Sequence, residues 1–191
     1  ASDVYKRQGN IGSLKIGQIV GEDKFKSFLS KVDILQKTNF DIEEIGTPIK
    51  FNWGKCPLAT ASFGHGITTT LLQLAKAYSI IANGGYNINP TLIKETKKFK
   101  KEQILNEEVS KKILPILRKI VTTKEGTASL ANVSGYEIGG KTGTAQKSVS
   151  GVYTKKKINS FISVFPTSKP KFVLAVMLDE PKTNEGYIYH Y

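Results

Sequence analysis

The sequence predicts an α+β fold, with helices in front and strands behind. Three features carry that expectation. Apolar residues recur at helical spacing through much of the first 121 residues, most clearly between Leu71 and Ile81. Two strand-like runs, residues 159–165 and 171–178, stand on either side of a turn at Thr167-Ser-Lys-Pro170. Strands and helices do not alternate as βαβ units would require. With 191 residues, 39% of them hydrophobic, the chain has material for one core and is not a disordered polymer.

Residues 11–20 read as a short helix stopped by Gly21. Glu22 and Asp23 suit the first turn of a second helix, where acids complement the helix dipole. Phe25, Phe28, Leu29 and Val32 follow at helical spacing and predict one buried stripe. Over residues 38–63 the periodicity fades into an expected loop holding Pro48, Trp53, Gly54 and Pro57. Thr69 is the expected cap of the clearest helix, whose apolar face is Leu71, Leu72, Leu74, Ala75, Tyr78 and Ile81. Asn83-Gly-Gly85 ends it. Residues 87–93 suggest a short strand, and residues 107–121 a further helix containing Pro115.

The charge excludes little. Basic residues number 28 against 16 acidic ones, a net charge of +12, but only Arg7 and Arg118 are arginine. Phosphate-clamping and base-reading surfaces favour arginine's planar fork. The short runs Lys97-Lys98, Lys100-Lys101 and Lys155-Lys-Lys157 read as solvated surface, so no nucleic-acid partner is expected. A lysine-rich module for nucleic acid or anionic lipid is the alternative. One cysteine, Cys56, excludes an internal disulfide, and two histidines leave little for a metal centre; no cofactor is expected. Cys56 reads as a small buried hydrophobe, Trp53 as a packing residue and His65 as a loop histidine. Residues 1–8 share no pattern with the rest and read as a non-native leader, which leaves residues 9–191 as the domain.

Gly135-Tyr-Glu-Ile-Gly-Gly-Lys-Thr142 matches the letters of a phosphate-binding loop, and the acids Asp179-Glu180 after an apolar strand resemble a magnesium site. The physics asks for more: an apolar strand must deliver the loop and a helix must open inside it. Residues 127–134 make a poor buried strand, and residues 143–151 show no helical apolar face. A nucleotide hydrolase is therefore the weaker alternative.

Lys141-Thr-Gly143 fits a different chemistry. An extended strand alternates its side chains, and glycine lets a ligand backbone lie close against the strand. A lysine ammonium beside it attracts a carboxylate, and a backbone N–H can hold an oxyanion. The triplet alone is weak, but its surroundings are specific. Gly140-Lys-Thr-Gly-Thr-Ala-Gln146 resembles the corresponding strand of class B penicillin-binding proteins, the peptidoglycan D,D-transpeptidases. So do Ser62-Phe-Gly-His-Gly-Ile67, the helix that starts at Leu71, Ile81-Ala-Asn-Gly-Gly85, Gly126-Thr-Ala128, Ser160-Phe-Ile162, Phe165-Pro166 and Asp179-Glu-Pro181. These blocks stand in family order, and the likeness is strongest to the septal, cell-division enzyme. Thr70 departs from it, standing where the family usually has a proline in the first helical turn.

The resemblance implies part of a β-lactamase-like transpeptidase fold, a central antiparallel sheet flanked by helices on both faces. It implies that Lys141 orients the substrate, that Thr142 and Thr144 contact its carboxylate, that Gly143 permits close approach, and that the Thr144 N–H forms half of an oxyanion hole. Asn10 corresponds to the last residue of a Ser-x-Asn motif whose serine position holds Gln8. The implied partners are a peptidoglycan stem peptide, β-lactams and divisome membrane proteins. The implied location is the inner membrane, with the catalytic domain on the periplasmic side. The family's nucleophilic Ser-x-x-Lys is missing: Ser168-Lys-Pro-Lys171 matches the letters but lies after Lys141, and Pro170 would break the helical turn it needs. The chain therefore reads as a piece cut at both ends, inactive alone. The run Phe172-Val-Leu-Ala-Val-Met-Leu178 is expected to lack a neighbour and part of its cover, which predicts poor solubility.

Overall fold

A computed structural model describes residues 9–43, 45–94, 102–149 and 152–182. The leader, the lysine runs around residue 100 and the C-terminal tyrosines lie outside the described residues. Helix α1 spans Asn10–Val20; the Gly21 N–H still bonds to the Gly17 carbonyl, and the positive φ of 81° at Gly21 then turns the chain out of the helix. Helix α2 spans Glu22–Lys31, with acids in its first turn and Lys31 in its last. The expected stripe is only partly realised. Phe28 is exposed, no residue of α2 is fully buried, and the burial falls just beyond it on Val32 and Ile34.

The loop expected over residues 38–63 contains a helix, α3, Lys55–Ala61. Pro57 does not forbid it, because the N–H a proline lacks at the third helical position has no intrahelical partner anyway. Leu58 makes the first return bond to the Gly54 carbonyl at 2.8 Å, and Leu58 and Ala61 are buried. Cys56, expected inside, is exposed on this helix. Trp53 packs as expected, with its ring edge-on to Phe51 and Phe25 and Lys26 above it. α3 leads into a close contact with α1: a Cβ on Gly17 would stand 1.8 Å from the Ser62 hydroxyl oxygen.

Helix α4, Leu71–Ala82, is capped by Thr70 rather than Thr69. The Thr70 hydroxyl accepts from the Gln73 N–H at 3.2 Å, and the Gln73 side chain accepts from the Thr70 N–H at 2.8 Å, a reciprocal capping box. Thr70 is thus the cap, not a first-turn substitute for proline. The centre of the buried face also differs from expectation, since Gln73, Lys76 and Ile80 are more enclosed than the leucines. The Gln73 amide nitrogen donates to the carbonyls of Asp33 and Gln36 at 2.8 and 2.7 Å, with a longer contact to Ile34. Lys76 pairs with the Asp33 carboxylate and reaches Asn89. Ile80 is fully buried against Val32 and Ile34, worth about 1.5–3 kcal/mol.

The strand expected over residues 87–93 is absent. Pro90 removes a ladder donor, Leu92 and Ile93 are exposed, and the isolated bridge among the described residues here is Tyr86 with Gln103. Helix α5, Glu107–Thr122, is capped by the Asn106 side chain and carries Pro115 inside it. Leu117, Ile120 and Val121 form its core with Ala128, and Tyr78, Ile138 and Phe161 pack around them.

Three strands follow in antiparallel order: β1 (Gly139–Val149), β2 (Val152–Phe165) and β3 (Phe172–Asp179). β2 starts seven residues earlier than the sequence suggested, because β1 continues as a hairpin partner and pairs Gln146 with Lys157 and Val149 with Val152. The Lys155–157 run is therefore an exposed strand segment. Helix α4 packs against β2 and β3, and α5 against β1. On β3, Val173 and Ala175 are half-buried, while Phe172, Leu174, Val176 and Leu178 are exposed on the opposite face. Among the described residues, helices cover one side of β3 only.

Candidate active site

The glycines of β1 are demanded by packing. A Cβ on Gly139 would fall 2.9 Å from the Arg118 nitrogen of α5, and one on Gly140 would fall 2.6 Å from the Ile162 carbonyl oxygen and 2.7 Å from the Phe161 ring. The strand therefore lies tight against α5 and β2 before Lys141 is reached. Gly143 differs: it is exposed, and a Cβ there would meet only the Ser160 hydroxyl, at 2.7 Å. Beyond that point the outer margin of β1 is free of any strand among the described residues.

Successive side chains leave β1 on alternate sides, so Lys141 lies on one side of the strand and Thr142 and Thr144 on the other. Lys141 is half-buried and its ammonium donates to the Thr142 carbonyl at 2.8 Å. Burial holds its pKa below the ordinary lysine value of 10.5, because the charged form loses water. The Thr142 hydroxyl lies 3.0 Å from that of Thr127, in the loop after α5. Thr144 is exposed at the margin. Asn10 stands at the first, exposed position of α1, and among the described residues no hydrogen bond joins it to Lys141.

The two competing motifs do not assemble. Residues 139–149 are a strand, not a loop opening a helix, so the phosphate-loop geometry is absent. Asp179 and Glu180 are occupied by lysines: Lys147 reaches Asp179 at 2.9 Å and Glu180 at 2.9 Å, and Lys156 reaches Glu180 at 2.9 Å. No three-residue cluster suited to a metal occurs among the described residues. Ser168 sits in the turn between β2 and β3, bonded through its hydroxyl to Glu137, and forms no helical pair with Lys171. The Ser168 hydrogen bonds hold the Glu137 carboxyl below the usual carboxylate range.

An extended, glycine-lined margin with a desolvated lysine and flanking hydroxyls suits an acyl group bearing a carboxylate. The description of the matching family is penicillin-binding protein transpeptidase domain, over residues 2–190. The chain belongs to that family. It is 36% identical to stage V sporulation protein D of Bacillus subtilis, covering 94% of this chain and 30% of that protein. It is 28% identical to a probable peptidoglycan D,D-transpeptidase FtsI of Caulobacter vibrioides, over 95% of this chain and 33% of that protein. The transpeptidase domain of penicillin-binding protein 3 from Burkholderia pseudomallei superimposes with a TM-score of 0.86 at 29% identity, over 93% of this chain and 55% of that one. Penicillin-binding protein 3 of Mycobacterium tuberculosis, solved in complexes with aztreonam and with ampicillin, gives 0.85 at 26% identity, over 93% of this chain and 44% of that one. The chain thus spans about a third of the length of the two curated relatives named here.

Sequence reasoning located Lys141, Thr142, Gly143 and Thr144 on one strand, and the fold places them there. It missed the contact between Thr127 and Thr142. The Gly126-Thr-Ala128 block was visible as a family feature, but no spacing rule brings it onto a strand fifteen residues later.

Proposed function

We propose that this chain supplies the carboxylate-recognising side of a peptidoglycan D,D-transpeptidase that works by serine acyl transfer. The reading rests on one observation above all: Lys141-Thr-Gly-Thr144 lies extended along an open sheet margin, with its lysine desolvated. A stem peptide laid along β1 would meet the Lys141 ammonium and the Thr142 and Thr144 hydroxyls with its terminal carboxylate, while Gly143 leaves room for its backbone. The Thr144 N–H would serve as one donor of the oxyanion hole. Asn10 would assist from α1.

The serine nucleophile is not among these residues, since the sole Ser-x-x-Lys run, at Ser168, is a turn bound to Glu137. It belongs in this reading to sequence before Gly9. Acylation follows the usual balance: the serine oxygen bonds to the carbonyl carbon, the amide C–N bond breaks, and the serine proton passes to the leaving nitrogen. β-Lactams would enter the same groove; that the Mycobacterium tuberculosis relative was solved with aztreonam and with ampicillin supports β-lactam binding. A divisome role, with a membrane anchor and a periplasmic catalytic domain, extends this reading; among the described residues no helix is long and apolar enough to span a membrane.

Labelling with a fluorescent penicillin tests it. The full-length protein should take up the label covalently, and the 191-residue chain alone should not. Labelling of the short chain, or none of the full-length protein, would refute the assignment.

A further inference from the structure

Gly126-Thr-Ala128 has no task in the mechanism above, yet the fold holds it firmly. Gly126 is buried: a Cβ there would lie 2.0 Å from the Ile120 carbonyl oxygen, and its N–H bonds to the Thr123 carbonyl at 2.9 Å. Ala128 is buried in the α5 core with Leu117, Ile120 and Val121, and its carbonyl accepts from Ala131 at 3.0 Å. Between these two pinned neighbours Thr127 is exposed, and its hydroxyl oxygen stands 3.0 Å from that of Thr142. Among the described residues this is the sole hydrogen bond that reaches the Thr142 hydroxyl.

Without a ligand Thr142 donates to Thr127, and a count of protons reverses that direction once a carboxylate binds. Each threonine hydroxyl carries one proton, and a carboxylate only accepts. Once Thr142 donates to a carboxylate, it can meet Thr127 only as an acceptor, so Thr127 must be the donor. We propose that Thr127 is a positioning residue of the acyl-transfer site: by donating to Thr142 it turns the single Thr142 proton outward, toward the substrate carboxylate. The pair then acts as a two-hydroxyl relay whose rear member is fixed by the α5 core. This inference rests on the reading of Thr142 as a carboxylate contact.

The test compares acylation rates of the full-length protein by a penicillin free acid and by its methyl ester. Thr127→Val keeps the shape and removes the donor. It should slow the free acid about 3–10-fold, as expected for one lost hydrogen bond, and leave the ester nearly unchanged. Thr127→Ser should restore the rate for the acid. Adding Thr127→Val to Thr142→Val should cost nothing further, because the relay is already broken. Equal slowing of acid and ester, no slowing of either, or an additive double variant would overturn the proposal. Should valine disturb folding, Thr127→Ala gives the same acid-to-ester comparison. If Thr142→Val itself leaves the acid unaffected, the carboxylate reading of Thr142 fails; if it slows the acid while Thr127→Val does not, only the relay fails.

Discussion

The two margins of this sheet are built to opposite specifications. β1 is narrow, polar and rich in glycine; it fits closely against α5 and β2 up to Gly140, and beyond it Gly143 and Thr144 are exposed at an open margin, with Lys141 half-buried on the side opposite Thr144. β3 is apolar, and Phe172, Leu174, Val176 and Leu178 line up exposed on one face. Among the described residues both are edge strands with one hydrogen-bonded neighbour. Side-chain chemistry alone separates a margin fit to receive a polar extended ligand from one that has the makeup of an interior strand. The lysine–carboxylate clasp among Lys147, Lys156, Asp179 and Glu180 ties the far end of β1 to the end of β3, so the two margins are held in one frame.

The contrast can be broken from either side. Lys141→Ala should remove the charge that draws a carboxylate to β1. The penicillin acylation rate of the full-length protein should fall about 100-fold with an unchanged melting temperature. A comparable drop in melting temperature would instead make Lys141 a packing residue. On the same strand, Gly140→Ala and Gly143→Ala should part company. The first forces a methyl onto the Ile162 carbonyl and the Phe161 ring and should cost about 1–3 kcal/mol in urea unfolding, whereas the second meets a rotatable hydroxyl and should cost less. If Gly143→Ala cost as much as Gly140→Ala, the open character of the margin would be lost.

The pH dependence follows from the burial of Lys141. Its folded pKa lies below 10.5, so with rising pH it loses its charge earlier than an ordinary lysine. Substrate capture should therefore decline on the alkaline side before pH 10.5, and Lys141→Arg should remove that limb, because arginine stays charged. Folding stability moves the other way. The fold favours the neutral amine, so this residue's contribution rises as pH climbs from the folded pKa to 10.5. The smallest effect belongs to β3. Leu174→Lys with Val176→Lys should change unfolding free energy by about 0.5 kcal/mol or less while reducing light scattering of the isolated chain. A wild-type chain that is already monodisperse would count against an aggregation-prone margin.

Much of this architecture was legible in the residues. The helix stops at Gly21 and at Asn83-Gly-Gly85 and the hairpin turn at 167–170 follow from local rules, and the strand around Lys141 came with the family resemblance. What escaped has a common physical cause. α3 was hidden because Pro57 looks like a breaker until it is known to sit where a helix needs no N–H. The strand read over residues 87–93 failed because β pairing depends on a distant partner, and among the described residues the bridge here is made by Tyr86, just before that run. Thr70 shows that a cap could have been read from its Thr-x-x-Gln spacing. The buried Gln73 and Lys76 were not predictable from periodicity, since their partners lie some forty residues earlier in the chain. Of the candidate site, the β1 residues were legible because one strand holds them all. Thr127 was not, because its role depends on tertiary proximity.

Gln73 has two duties at once. Its carbonyl end closes the first turn of α4, and its amide end grips the backbone at Asp33 and Gln36. Neither segment can come loose without surrendering the other's fastening, so fraying there is a joint event and not two separate ones. In hydrogen–deuterium exchange the amides of Asp33, Ile34, Gln73 and Leu74 should accordingly lose protection at a shared rate, and Gln73→Leu should uncouple them.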